Sequence, residues 1–469
     1  MNTLPLIWQS GRFVACTVLA LALAPPAAQA QTANSGVGLG AGKTLAQPAP
    51  RPAPTPFEDF SHPEHLFGDW GGIRTDLGKL GINVLLDYTS ETAGNVAGGS
   101  RRALDYADQR ALEVDIDWQK LAGIEGFSTH MVIVNRAGNN TSAAFGDNLM
   151  PVQEIYGAGG DVALHLVYLY GEEALLRGRL DIAAGYMPVG NDFAASPLNC
   201  NFMNNGLCGN VKELPGGNNG FSSWPDATLG GRLRVKPTPD TYIQAGLYGV
   251  DPNLYQYPQD RSGWNVDASQ YNGVEVPVEV GWEPSFGPNH LVGHYKFGIG
   301  YNSAPYSAFL GGLPGAPGPE QRDRLQYWAL FDQMLIRQGK GDDAGVIGML
   351  GYVHSNPDTI VYQDEAYVGL VDRGFWKARP KDTIGLLFIY QRVSNQLTQA
   401  QQIEESSGLP YSNGATGVQT NEEVLEADYD IHVYRGVNLM PDFQYVIHPN
   451  AQTSLANAVV LGLKAHVEF

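Results

Sequence analysis

The chain has 469 residues, 57 glycines, 23 tyrosines and a formal net charge of −19. That length allows two or three soluble domains, and the acidic balance argues against nucleic acid or any other polyanion as a partner. After residue 30 no run approaches the ~18 apolar residues of a membrane-spanning helix, which leaves open a barrel, whose lipid face hides in alternation.

The chain opens on a leader. Arg12 is its one charge, FVACTVLALALA (13–24) is its apolar core, and Ala28-Gln29-Ala30 supplies a small-x-small cleavage pattern. Residues 1–30 therefore read as a signal peptide, removed after Ala30. Too little apolar sequence precedes Cys16 for a lipoprotein signal. Removing Arg12 with the leader leaves 28 Lys+Arg against 48 Asp+Glu, a net charge near −20.

Residues 31–57 are rich in alanine and proline and end in QPAPRPAPTPF, an extended linker that cannot bury a core. GAGKT (40–44) resembles the end of a phosphate loop, but Val37 stands where that motif needs glycine and no strand precedes it. Within residues 58–80, Ile73, Leu77 and Leu80 recur at helical spacing and Gly81 follows, so one short helix is expected before the first strand.

From Gly81 to Phe469 the period becomes two. Leu112, Val114, Ile116 and Trp118 alternate with Glu113, Asp115 and Asp117. Val274, Val276, Val278, Val280 and Trp282 alternate with Glu275, Glu279 and Glu283. Leu425, Ala427, Tyr429, Ile431 and Val433 alternate with Glu426, Asp428, Asp430 and His432. The chain ends on Val459, Leu461, Leu463, Ala465, Val467 and Phe469 on one parity, with Lys464, His466 and Glu468 on the other, and Asn457 sets the expected strand start near Val459. Successive strand side chains point to opposite faces. These ribbons reach the ~9–11 residues that a tilted membrane strand needs, against ~5–6 in soluble proteins. Asn-Gly pairs at 205–206, 219–220, 272–273 and 413–414 are read as turns between strands. At roughly 24 residues per strand and connection, the fold class is an all-β transmembrane antiparallel barrel of about 16 strands, an even number as single-chain bacterial barrels require. The alternative, a secreted soluble β-protein, accounts less well for strands of this length.

If the apolar parity faces lipid, the charged parity must line the lumen, because a charge facing hydrocarbon costs kilocalories. The lumen-facing candidates for substrate contact are Glu113, Asp115, Asp117, Arg232, Arg234, Lys236, Glu275, Glu279, Glu426, Asp428 and Asp430. An acidic wall facing the basic GRLRVK strand would set up a transverse field and offer acceptors and forked donors to sugar hydroxyls. Cys200 and Cys208, in a turn-rich exported segment with no histidine nearby, point to one disulfide rather than a metal site. No G-x-S-x-G or H-E-x-x-H motif occurs, and no catalytic residue, metal or cofactor is expected.

Several blocks resemble, in order, the carbohydrate-selective porins of the OprB family. They are LFGDWGGIRTDLGKLGINVLLDYTSETAGNVAGG, GYMPVGNDFAASPLNCNFMNNGLCG, WPDATLGGRLRV, AGLYGVDPN, ARPKDTIGL and LMPDFQYVIHPN. The resemblance implies a 16-stranded barrel in the Gram-negative outer membrane that passes carbohydrates by diffusion. It also implies that terminal Phe469 is read by the outer-membrane assembly machinery, and it leaves room for a homo-oligomer. The long proline-rich linker and His294-Tyr295-Lys296 depart from the family pattern.

Overall fold

The computed structural model describes residues 65–157, 161–255, 266–339 and 343–469. The expected signal peptide, the linker and residues 58–64 lie outside the described residues.

Sixteen long strands follow one another around a single antiparallel sheet. They are β1 (Ile82–Ala97), β2 (Leu104–Asp117), β3 (Phe127–Gly138), β4 (Val162–Leu175), β5 (Leu180–Met187), β6 (Thr228–Thr238), β7 (Thr241–Val250) and β8 (Gly273–Trp282). The circuit continues through β9 (Leu291–Asn302), β10 (Arg324–Arg337), β11 (Gly345–Ser355), β12 (Tyr362–Arg373), β13 (Thr383–Val393), β14 (Asn421–Tyr434), β15 (Val437–Ile447) and β16 (Ala458–Glu468). β16 pairs back onto β1 from Asp87↔Glu468 to Ala97↔Val459, with one bulge at Asn95–Ala97. Closure removes every sheet edge, so backbone groups are paired within the wall, as hydrocarbon demands.

The faces follow the alternation. On β8, Val274, Val278, Val280 and Trp282 are 37–46% exposed, whereas Glu275 and Glu279 are 0% and 1% exposed. Leu425, Leu461 and Leu463 are likewise outward and exposed, while Glu426, Asp428, Lys464 and His466 are buried inside. At the end with short turns, aromatic rings cluster: Trp118 lies 6.4 Å from Phe127, and Trp282 lies 5.7 Å from Phe286 and 5.3 Å from Tyr295. Such a girdle marks a membrane–water interface. Both barrel ends lie here too. By the usual barrel asymmetry this is the periplasmic side, and the long connections 139–161, 188–227, 303–323 and 394–420 are extracellular.

The expected first helix is present at Ile73–Lys79. Gly81, at φ 85°, turns it into β1, and a Cβ there would lie 2.6 Å from the Asp117 carbonyl, so only glycine fits. β16 begins at Ala458, one residue from the expected start near Val459, and Asn457 lies outside it, donating to the Tyr445 hydroxyl at 2.9 Å and accepting from His448 N at 3.2 Å. Of the Asn-Gly pairs, 205–206 and 219–220 lie in turns inside the 188–227 connection and 413–414 in the 394–420 connection, between strands as expected, whereas Gly273 already begins β8.

Candidate functional site

The lumen is not an open tube. Nearly all of the connection 188–227 is buried, as is much of 139–155, so both fold into the barrel. An irregular segment there must find partners for its N–H and C=O groups. The wall supplies them. Glu279 on β8 accepts from Ala194 N at 2.8 Å, the Tyr242 hydroxyl at 2.8 Å, Gln244 Nε2 at 2.9 Å and Trp328 Nε1 at 2.7 Å. Glu426 on β14 accepts from Met203 N at 2.5 Å and Asn204 N at 3.3 Å. Glu365 on β12 accepts from Glu213 N at 2.9 Å. Glu91 on β1 accepts from Ile155 N at 3.0 Å, and Arg136 reaches Glu154 at 2.9 Å. These wall side chains staple the loops.

Glu275 is covered in the same way. A Cβ on Gly220 would lie 2.3 Å from Glu275 Oε2 and from Asn302 Nδ2, so the loop backbone rests directly on this carboxylate, and any larger residue would push both side chains aside. The Cys200–Cys208 disulfide is present, buried within the 188–227 segment.

Arg232 is enclosed by Asp181 at 2.5 Å, Asp192 at 2.9 Å and Glu172 at 3.4 Å, and is 3% exposed. Arg234 shares Asp192 at 3.5 Å and donates to Gln244 at 2.7 Å. Lys236 is half-buried near the periplasmic end of β6. The strand expected to form a basic wall is therefore neutralised by its own neighbours. β14 stands half a circuit away. There Glu426, Asp428 and Asp430 meet Asp442 of β15, with Lys464 of β16 the cation facing Asp428, Asp430 and Asp442. Glu113 accepts from the Tyr168 hydroxyl at 3.2 Å and Asp115 contacts His130 at 2.6 Å. Asp117 leaves the lumen set: it caps the helix Trp118–Ala122, accepting from Gln119 N at 3.0 Å and Lys120 N at 3.3 Å.

Among the extracellular loops lies a cavity of about 370 Å³. Its lining includes Glu154, Asn205, Asn210, Lys212, Trp224 and Tyr255. Aromatic faces beside amide, ammonium and carboxylate groups can cover a sugar's C–H face while pairing its hydroxyls. Strand parity could have found Glu172 and Asp181. It could not have found Asp192, Lys212 or Trp224, which lie in irregular chain.

A closed sixteen-strand barrel with an apolar outer band, a charged lumen and inward-folded loops is a porin of the Gram-negative outer membrane. The chain belongs to the carbohydrate-selective porin family OprB, whose profile matches residues 101–469. It is 28% identical over 424 residues to Porin B of Pseudomonas aeruginosa, a match covering 86% of this chain and 91% of that protein. The high-pH structure of Pseudomonas putida OprB superposes with a TM-score of 0.80 at 28% identity, covering 87% of this chain and 99% of that one. Fold and family are those of a channel for carbohydrates.

Proposed function

We propose that the channel passes monosaccharides or polyols of similar size by passive, saturable diffusion, with the sieve formed by the stapled connections rather than by the strand walls. The observation that carries this reading is the burial of 188–227 inside the lumen, held by Glu279 and Glu426. A sugar crossing it exchanges water for amide, carboxylate and aromatic partners. Each exchange is near neutral, since net hydrogen-bond gains are about 0.5–1.5 kcal/mol, which suits binding that must also release. Vesicles carrying the protein should swell faster in glucose than in a large disaccharide, and Trp224→Ala should narrow that difference. Equal swelling of protein-containing and empty vesicles would overturn the reading. Phe469 is proposed as the residue read by the assembly machinery.

A second reading, a general cation-preferring porin, draws on the concentration of Asp428, Asp430 and Asp442 on one wall. Strong cation selectivity in a salt gradient, with no block by sugars, would favour it.

A further inference from the structure

The helical spacing of Ile73, Leu77 and Leu80 predicts an apolar face, yet the barrel covers only part of it, with Leu77 half-buried. Phe67, Ile73 and Leu80 are 65%, 58% and 53% exposed, as much as the outward Leu461 at 52% and Leu350 at 54%. The opposite side of the same short helix is polar and also open: Lys79 pairs with Asp76 at 2.8 Å, both well exposed. The segment is nevertheless fixed in place. Leu66 N donates to the Glu468 carbonyl at 2.8 Å, and the Arg74 guanidinium donates to the Phe469 carbonyl while lying 4.4 Å over the Trp70 ring. The Phe67 ring sits 5.5 Å from the Phe469 ring. Phe469 closes the outward parity of β16, so Phe67 extends the lipid-facing surface past the end of the last strand.

We propose that Phe67–Leu80 is an interfacial anchor, its apolar side embedded at the acyl-chain boundary of the periplasmic phospholipid leaflet and the side carrying Thr75, Asp76 and Lys79 in water. A short amphipathic segment lying in the interface plane has this division of faces. Continuity through Phe67 and Phe469 with the lipid-facing band selects lipid as the occupant.

The test uses the full mature chain in phospholipid vesicles. Cys200 and Cys208 are paired, so Phe67→Cys, Ile73→Cys, Leu80→Cys, Thr75→Cys and Lys79→Cys can each carry a nitroxide label. Labels at 67, 73 and 80 should be more accessible to oxygen than to a water-soluble nickel chelate, with the ratio reversed at 75 and 79. Nickel accessibility at 73 and 80 would overturn the proposal. So would shielding of both from either reagent, the result expected if a second copy or the preceding residues cover this face. Should the Phe67 variant loosen the barrel ends, unsubstituted protein supplies a second measurement. Tryptophan quenching by phospholipids brominated near the headgroup should drop on Trp70→Phe, and no change would count against the anchor.

Discussion

The two sides of the lumen hold their charge differently. On β6 and its neighbours, Arg232 is surrounded by Glu172, Asp181 and Asp192, and the loop enters through Asp192 itself. On β14 and β15, four carboxylates crowd together with Lys464 facing them. The first side spends its charge on structure: buried and mutually paired, it projects little field. The second gathers acceptors, four carboxylates sharing one cation. A lumen that looks bipolar when strands are read singly is rich in acceptors once partners are counted, and a carbohydrate cargo is compatible with that because sugar hydroxyls need acceptors rather than net charge.

The comparison can be broken most severely at Arg232. Arg232→Ala leaves three buried carboxylates without their shared cation, and truncating one member of a buried pair typically costs about 3–5 kcal/mol. Denaturant unfolding in detergent should show that loss, whereas an unchanged midpoint would mean that the arginine is not the linchpin described. Next comes Glu279→Ala, which orphans the Ala194 N–H, the Tyr242 hydroxyl and the Trp328 indole N–H at once, while Gln244 keeps its bond to the Asp192 carbonyl. We expect about 2–4 kcal/mol of destabilisation, from unsatisfied buried donors at about 1–3 kcal/mol each with partial relaxation. Single-channel conductance should also rise as the loop loosens, and retained conductance would place the sieve elsewhere. A milder change sharpens the other wall. Asp428→Asn with Asp442→Asn should lower cation preference, read as a shift of reversal potential towards zero in a salt gradient, with little effect on the folded yield.

The smallest effect is pH-dependent and sits outside the strands. Burial raises the Asp147 carboxyl to about 6, against opposing hydrogen bonds from the Leu149 and Met150 N–H groups, and Glu422 is its side-chain neighbour. The folded protein then holds more protons than the unfolded chain between about pH 4 and pH 6. Stability from this group is greatest at the acid end of that window and declines as pH rises through about 6. Hydrogen exchange at Leu149 should be slower at about pH 5 than at about pH 7, after correction for the intrinsic rate, by an amount worth about 1 kcal/mol. Asp147→Asn should flatten that difference.

The barrel was legible in the sequence because lipid imposes a strict period of two, and Val274 to Trp282 obey it residue by residue. The lumen-facing assignment of Glu279 and Glu426 could be read by the same rule. Their role could not, because what they grip is the backbone of Ala194, Met203 and Asn204, and irregular chain has no period from which to predict contact. Asp117 misled for a local reason: the strand stops there and its carboxylate turns to cap the next helix. The helix Asn395–Ser406 was readable in principle, since Ser394 caps it by accepting from Gln396 N and Leu397 N, but its weakly apolar face gave no core signal.

Glu426 and Met203 lie 223 residues apart in the chain. Their bond therefore forms only after the barrel has nearly come full circle, and contacts across such separations are entropically late. The chain is obliged to build the doorway before it can hang the door: a barrel interrupted ahead of β14 would lack one of the fastenings that narrow it. Selectivity is thus a property the molecule acquires last, and lesions far from the pore that merely delay closure should be felt first as leakiness.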